Sequence, residues 1–254
     1  MEIIESIQNK QVKEWKKLLT RKGRKRQRKY LIEGLHLVEE ALKSKAEIEV
    51  ILIREDMVDD YSELLDIREV SVVLVTEEIS DLLSDAVTEQ GITAVIKSEE
   101  SFESIVGDKP VLMLDQVQDP GNLGTLVRTA DAAGFEGVII GTGSVDLYNP
   151  KALRSAQGSQ FHLTIIHDDI EKWIATFKDK GIPVYGTALD KNAASYRSIE
   201  PQNRFGLIVG NEGNGVDPYI LEQTTKNLYI PIKGQAESLN VAIAAGVLMF
   251  SLYQ

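Results

Sequence analysis

Three stretches of this 254-residue chain set polar, ligand-competent side chains beside glycines, each just after an apolar run. They read LDQVQDPGNLGTLVRTADAAG (114–134), IVGNEGNGVDP (208–218) and IPIKGQAESLNVAIAAG (230–246). In the first, Asp119-Pro120-Gly121-Asn122 is turn chemistry, and Asn122 is placed to cap the helix that follows. Arg128 lies six residues on, about 240° around a helix, so the two share a face only if Asn122 sits off the helix as its cap. Arg128 can grip a phosphate or a developing anion by charge-assisted hydrogen bonds. The plainer alternative is a solvated arginine paired with Asp131 at i+3. In the second stretch Gly210, Gly213 and Gly215 let a ligand approach backbone amides closely, and Glu212 can orient a group there; a tight surface turn is the alternative. In the third, Ser238 is a natural cap and Asn240 falls in the first turn of the most apolar helix, where its amide needs a partner. The alternative partner for Asn240 is the backbone of a neighbouring loop.

Other chemistries lack their residues. No Gly-x-x-x-x-Gly-Lys-Ser/Thr loop and no Gly-x-Ser-x-Gly elbow occurs. Gly141-Thr142-Gly143 follows a strand, but Asp146 stands where a dinucleotide fingerprint needs its third glycine, which disfavours a nicotinamide-dependent oxidoreductase. His36, His162 and His167 have no cysteine or clustered carboxylate at ligand spacing, so no metal is expected.

The elements that must position these residues are short buried strands alternating with helices. From residue 111 the pattern predicts strands at 111–114, 137–140, 163–166, 184–187, 205–209 and 228–230. Helices are predicted at 123–133, 150–158, 169–180, 218–224 and 238–252. Such alternation argues for a parallel sheet covered on both faces, with ligands beyond the carboxyl ends of its strands. Residues 30–97 read as a smaller α/β unit, with helices at 35–42, 62–65 and 77–83 and strands at 49–53, 70–75 and 92–96. Polar, acidic residues 98–109 before Pro110 mark a boundary. The domains expected are a basic arm (1–29), a small α/β domain (30–99) and a larger α/β domain (110–254). The arm reads as a basic helix with a turn at Gly23.

The chain carries 28 Lys+Arg against 39 Asp+Glu, net −11. That average repels nucleic acid, but it hides a split. Residues 10–30 hold eleven basic residues and one acid, Glu14, which leaves −21 for the rest. The absence of cysteine excludes disulfides and thiolate sites and fits a reducing cytosol. Neither a signal-peptide pattern nor an apolar run long enough to cross a bilayer is seen, so a cytoplasmic protein without membrane contact is expected.

Taken together, the three junctions resemble the SpoU (TrmH-type) family of RNA ribose 2′-O-methyltransferases. Asn122, Gly124 and Arg128 are similar to its Asn-x-Gly-x-x-x-Arg motif, and Gly210, Glu212, Gly213 and Gly215 to its Gly-x-Glu-Gly-x-Gly motif. Ile230, Pro231, Gly234, Ser238, Leu239, Asn240, Val241 and Ala244 match its third motif. Lys151 to Arg154, with Ser155 and Gly158, resemble the segment between the first and second motifs. Residues 30–97 resemble the family's small ribosomal-protein-like RNA-binding domain through Tyr30 to Gly34.

The resemblance implies an α/β fold whose methyltransferase domain is a deep trefoil knot on a mostly parallel sheet. It implies S-adenosyl-L-methionine as methyl donor and a homodimer with active-site residues from both subunits. It implies catalytic roles for Arg128, Asn122, Glu212, Ser238 and Asn240, and a cofactor site around Thr187, Gly210, Ile230 and Leu239. The expected substrate is RNA, ribosomal before transfer RNA, held by Lys22, Arg24, Lys25, Arg26 and Arg28 of the basic arm. A non-catalytic RNA-binding or ribosome-assembly protein on the same fold is the rival.

Overall fold

The computed structural model describes residues 2–65, 70–86, 88–98, 105–190 and 192–253. The elements run β1 (Glu2–Ile4), α1 (Lys10–Lys17), α2 (Arg21–Gln27), β2 (Lys29–Glu33), α3 (Leu35–Lys43), β3 (Ile48–Arg54), α4 (Ser62–Leu65), β4 (Val72–Val75), α5 (Glu77–Leu83) and β5 (Ile92–Lys97). They continue as β6 (Val111–Leu114), α6 (Pro120–Ala132), β7 (Gly137–Ile140), α7 (Pro150–Ala156), β8 (Thr164–His167), α8 (Ile170–Asp179), β9 (Val184–Thr187), β10 (Ala194–Ser195), β11 (Gly206–Val209), α9 (Pro218–Gln223), β12 (Lys226–Tyr229) and α10 (Val241–Leu252). The chain forms two compact units: Met1–Glu100 with Asp146–Phe161, and Ser101–Val145 with His162–Gln254.

The first unit is a mixed five-stranded sheet in the order β1-β4-β3-β5-β2. One face buries Leu37, Val38 and Ala41 of α3 together with Leu153 of α7. The other buries Val12, Trp15 and Leu18 with Ile79 and Leu83 of α5. The few apolar residues of the basic stretch are therefore core residues, and residues 10–29 are a folded part of this unit rather than an arm. Gly23 does not make the expected turn. It lies inside α2, where a Cβ would sit 1.9 Å from the Lys17 carbonyl oxygen, so only glycine permits this close approach.

Arg24 also departs from its expected place. It is only 6% exposed; its Nη1 donates to the Leu18 carbonyl at 2.8 Å, while Nε and Nη2 donate to Asp146 Oδ2 at 3.0 and 2.7 Å. A guanidinium spent on these bonds is a structural tie, which removes Arg24 from the surface charges able to meet RNA. Its partner belongs to residues 146–161, placed by sequence in the second domain but folded here in the first unit. Tyr148 of that segment stacks on Tyr30 with centroids 4.2 Å apart, and Arg154 Nη2 donates to Asp85 Oδ2 at 2.9 Å.

The second unit is a seven-stranded, all-parallel sheet in the order β10-β12-β9-β11-β6-β7-β8. Every residue of β6, β7 and β11 is buried, as a sheet covered on both faces requires. From β6 the chain steps outward to β7 and β8, then crosses to β9 on the far side and returns to insert β11 between β9 and β6. Strand order reverses there, which is where open parallel sheets leave a crevice. Because β12, β9, β11 and β6 are neighbours, the loops after them converge at one end of the sheet.

Candidate active site

Asp119, not Asn122, caps α6: its carboxylate accepts from the Asn122 amide nitrogen at 2.9 Å, and Pro120 opens the helix. Asn122 is therefore in the first helical turn. Likewise Asn240, not Ser238, caps α10; its Oδ1 accepts from the Ala242 and Ile243 amides at 2.9 and 3.3 Å. With that oxygen committed, the Asn240 Nδ2 group faces outward and donates to Asn122 Oδ1 at 2.9 Å. Asn122 Nδ2 in turn donates to Glu212 Oε1 at 3.0 Å. Three loops distant in sequence are thus joined by one directional chain, Asn240 to Asn122 to Glu212.

Glu212 ends that chain as an acceptor. It also accepts from the Gln118 and Asp119 amides at 3.1 and 3.0 Å. Partial burial pushes its carboxyl up, but the bonds from Asn122 and from the amides of Asp119, Glu212 itself and Gln118 outweigh burial and hold it below the ordinary value. The loop that carries it is tight. Asn211 and Gly215 exchange two backbone bonds of 2.9 Å, a Cβ on Gly210 would fall 2.1 Å from the Gly215 backbone, and Gly215 has φ +72°.

A cavity of about 570 Å³ opens beside this chain. Its lining includes Thr187, Gly210, Ile230 and Leu239, the four residues expected around a cofactor, as well as Glu212 and Ser238. Asn211, Asp190 and Leu189 line it too, and sequence reasoning did not single them out. The volume is in the range of small-molecule sites. Leu189 and Leu239 remain 68% and 40% exposed, apolar surface available for the face of a ring. Among the described lining residues the ionisable acids are Asp190 and Glu212, and none is Lys or Arg. Apolar walls, loop amides and two carboxylates fit S-adenosylmethionine, which joins an adenine to a cationic sulfonium.

Arg128 is elsewhere. It is exposed on α6 and does not line the cavity, and its side chain makes no hydrogen bond or ion pair with any described residue. The expected i+3 partner, Asp131, instead lies 2.9 Å from His162 Nδ1. With Asn122 inside the helix, the 240° separation stands, and Arg128 does not share its face.

Asp115 and Gln116 also escaped the sequence reading. Asp115 is a buried acid at the end of β6, and Gln116 is a non-glycine residue with φ +54°. A carboxylate closing an otherwise apolar strand was the available signal. Among the described residues no helix is long and apolar enough to cross a membrane, and no group of three or more His, Cys, Asp or Glu could hold a metal.

Known proteins place this arrangement. Residues 109–250 match the SpoU rRNA Methylase family, and residues 9–94 match the MRM3-like substrate binding domain. The chain is 46% identical over 252 residues to the Bacillus subtilis (strain 168) 23S rRNA (guanosine(2553)-2'-O)-methyltransferase RlmP, covering 99% of each. An AdoMet-bound rRNA methyltransferase from Sinorhizobium meliloti superposes with TM-score 0.87 at 29% identity, over 99% of this chain and 97% of that one. A putative RNA methyltransferase of the TrmH family from Porphyromonas gingivalis gives 0.85 at 32% identity, over 98% of each. The knotted, all-parallel unit and its three joined loops thus belong with this group, and the chain is a member of the SpoU family of rRNA methylases, enzymes that transfer a methyl from S-adenosylmethionine to RNA ribose 2′-hydroxyls.

Proposed function

We propose that this protein methylates the ribose 2′-hydroxyl of a guanosine in 23S ribosomal RNA, as the name of the Bacillus subtilis relative states for that enzyme. The observation that carries the reading is the Asn240–Asn122–Glu212 chain beside the cavity. It joins all three family motifs in one piece of geometry. When bound, S-adenosylmethionine supplies an electrophilic methyl on a sulfonium. Thr187, Gly210, Ile230 and Leu239 would hold it, with loop amides and carbonyls on the adenine edge and Leu and Ile on its face. Ser238, exposed at the rim, and Asn240 would position the ribose. Glu212 fixes the Asn122 amide, so the reacting hydroxyl meets a set of dipoles already oriented.

Arg128 does not suit a role as base, because guanidinium stays protonated. It suits a charge-assisted bond to an RNA phosphate or to the emerging alkoxide, with the hydroxyl proton passing to a phosphate oxygen or to water. Since Arg128 does not line its own cavity, we assign it to the cavity of a second copy. Helix α10, which packs on α6, supports this pairing. It exposes Ile243 and Phe250, seven residues apart on one face, at 58% and 56%. Such an apolar stripe fits a homodimer contact.

The first unit presents Lys22, Lys25, Arg26 and Arg28 at its surface, beside Lys10, Lys13 and Lys16. These charges would track RNA phosphates, and the protein would work where ribosomal RNA is made, in the cytoplasm. Mapping ribose methylation in the ribosomal and transfer RNA of a strain lacking this chain tests the reading. One guanosine losing its 2′-O-methyl supports it; an unchanged map, or a loss confined to transfer RNA, overturns it.

A further inference from the structure

We infer that Asp115 is a positioning residue for the cofactor cavity, acting by pinning the 210–217 loop that forms one of its walls. The inference rests on the methyltransferase reading of that cavity. Asp115 follows β6, and its amide continues the ladder by donating to the Val209 carbonyl at 2.8 Å. It therefore stands beside the root of the loop that leaves β11. Its carboxylate, 4% exposed, reaches across to accept from the Asp217 amide at 2.7 Å. Asp217 is the far end of that loop and caps α9 by accepting from the Tyr219 amide at 2.8 Å. The near end is held from the next residue: Asn211 Nδ2 donates to the Gln116 carbonyl at 3.0 Å. Gln116 adopts φ +54° to present that carbonyl, a left-handed conformation uncommon outside glycine. One dipeptide thus grips both ends of an eight-residue loop that contains three glycines and has many conformations to lose.

A buried carboxylate is costly unless it is used. Burial pushes the Asp115 carboxyl up, the Asp217 amide and the Gln116 side chain pull it down, and the nearby Asp217 carboxylate pushes it up again. The amide it holds lies between Val216 and Pro218, both of which line the cavity, whereas Asp115 itself does not. The acid therefore acts through the loop, on the placement of Gly210 and of the Val216–Pro218 wall, while Glu212 keeps its own donors from Gln118, Asp119 and Asn122; it touches neither cofactor nor RNA.

Two variants and two readouts test this. Asp115→Ala removes the acceptor, and Asp115→Asn keeps an oxygen for the Asp217 amide. By titration calorimetry, Asp115→Ala is expected to weaken S-adenosylmethionine binding at least tenfold, and Asp115→Asn by less than threefold. Methyl transfer should show the loss in the cofactor KM, with kcat at saturation held within threefold. Amide hydrogen exchange of residues 211–217 in the ligand-free protein should speed up in Asp115→Ala while the β6 and β7 amides stay protected. Wild-type affinity and unchanged loop exchange in Asp115→Ala would overturn the proposal. A tenfold loss in Asp115→Asn would also overturn it, since the acceptor would then not be what matters. If the wild-type protein itself fails to bind S-adenosylmethionine, the functional reading falls, and loop exchange alone decides whether Asp115 is the pin.

Discussion

The two units use charge in opposite ways. In the first, most basic side chains stand in solvent on α1 and α2, and the buried one, Arg24, is consumed by Asp146 and the Leu18 carbonyl. In the second, the acid that matters, Glu212, is held by three donors in a loop at a strand end, while Arg128 stands exposed without a described partner. An RNA footprint needs only enough positive charge at roughly the right spacing, because phosphate attraction is long-ranged and tolerant of position. A transfer site needs ångström placement, which in the proposed site the hydrogen-bonded chain from Asn240 to Glu212 would supply. Each arginine breaks the pattern of its own unit. Arg24 is structural where the other charges are proposed to meet RNA, and Arg128 is free where Asn240, Asn122 and Glu212 are tied.

That contrast can be broken from either side. The largest effect is expected from Arg128→Ala: methyl transfer should fall about 10³-fold, with S-adenosylmethionine affinity unchanged by calorimetry. Arg24→Ala should leave turnover per folded molecule intact yet cost about 3–5 kcal/mol in chemical denaturation, because it strands the Asp146 carboxylate. A milder result would show that water replaces the guanidinium there. Glu212→Ala should reduce kcat about 100-fold through a misplaced Asn122, and unchanged turnover would make the chain merely structural. Replacing Lys22, Lys25 and Arg26 together by Ala should weaken RNA binding at moderate salt. Each phosphate left without its cation should also flatten the plot of log affinity against log salt by about 0.7–0.9; an unchanged slope would place the footprint elsewhere. The smallest effect is that of pH. Glu212 is held below the ordinary glutamate value of 4.5, so its stabilising bonds are fully present above that value and are lost as pH falls through the lower folded one. Thermal melts from pH 7 down to pH 3 should show wild type losing an increment that Glu212→Ala lacks.

Much of the second unit was legible from periodicity. Strands at 111–114, 137–140 and 184–187 and the helix at 218–223 lie where the apolar runs put them, give or take a terminal residue. The caps were not legible. Asp119 and Asn122, or Ser238 and Asn240, are equally good N-cap types, and only the fold decides which oxygen meets the first amides. That choice also decided the chemistry. Asn240 became a bridge because its oxygen was committed to α10, and Asn122 lost its shared face with Arg128 because Asp119 took the cap. In the first unit, β1 and the burial of Val12, Trp15 and Leu18 were hidden by the charge around them. The return of residues 146–161 to that unit is a long-range event that no local pattern encodes. Half of the boundary segment expected at 98–109, residues 99–104, lies outside the described residues.

The free Arg128 makes the central claim a site built from two copies, and mixed dimers test it most directly. Arg128→Ala and Glu212→Ala proteins, each nearly inactive alone, would be unfolded together, refolded and assayed on 23S rRNA lacking the methyl group. A two-copy site predicts that the mixture recovers a substantial fraction of wild-type turnover, since each mixed dimer holds one cavity with Glu212 from one subunit and Arg128 from the other. A mixture no more active than its components, with mixed dimers confirmed by native mass spectrometry, would contradict it.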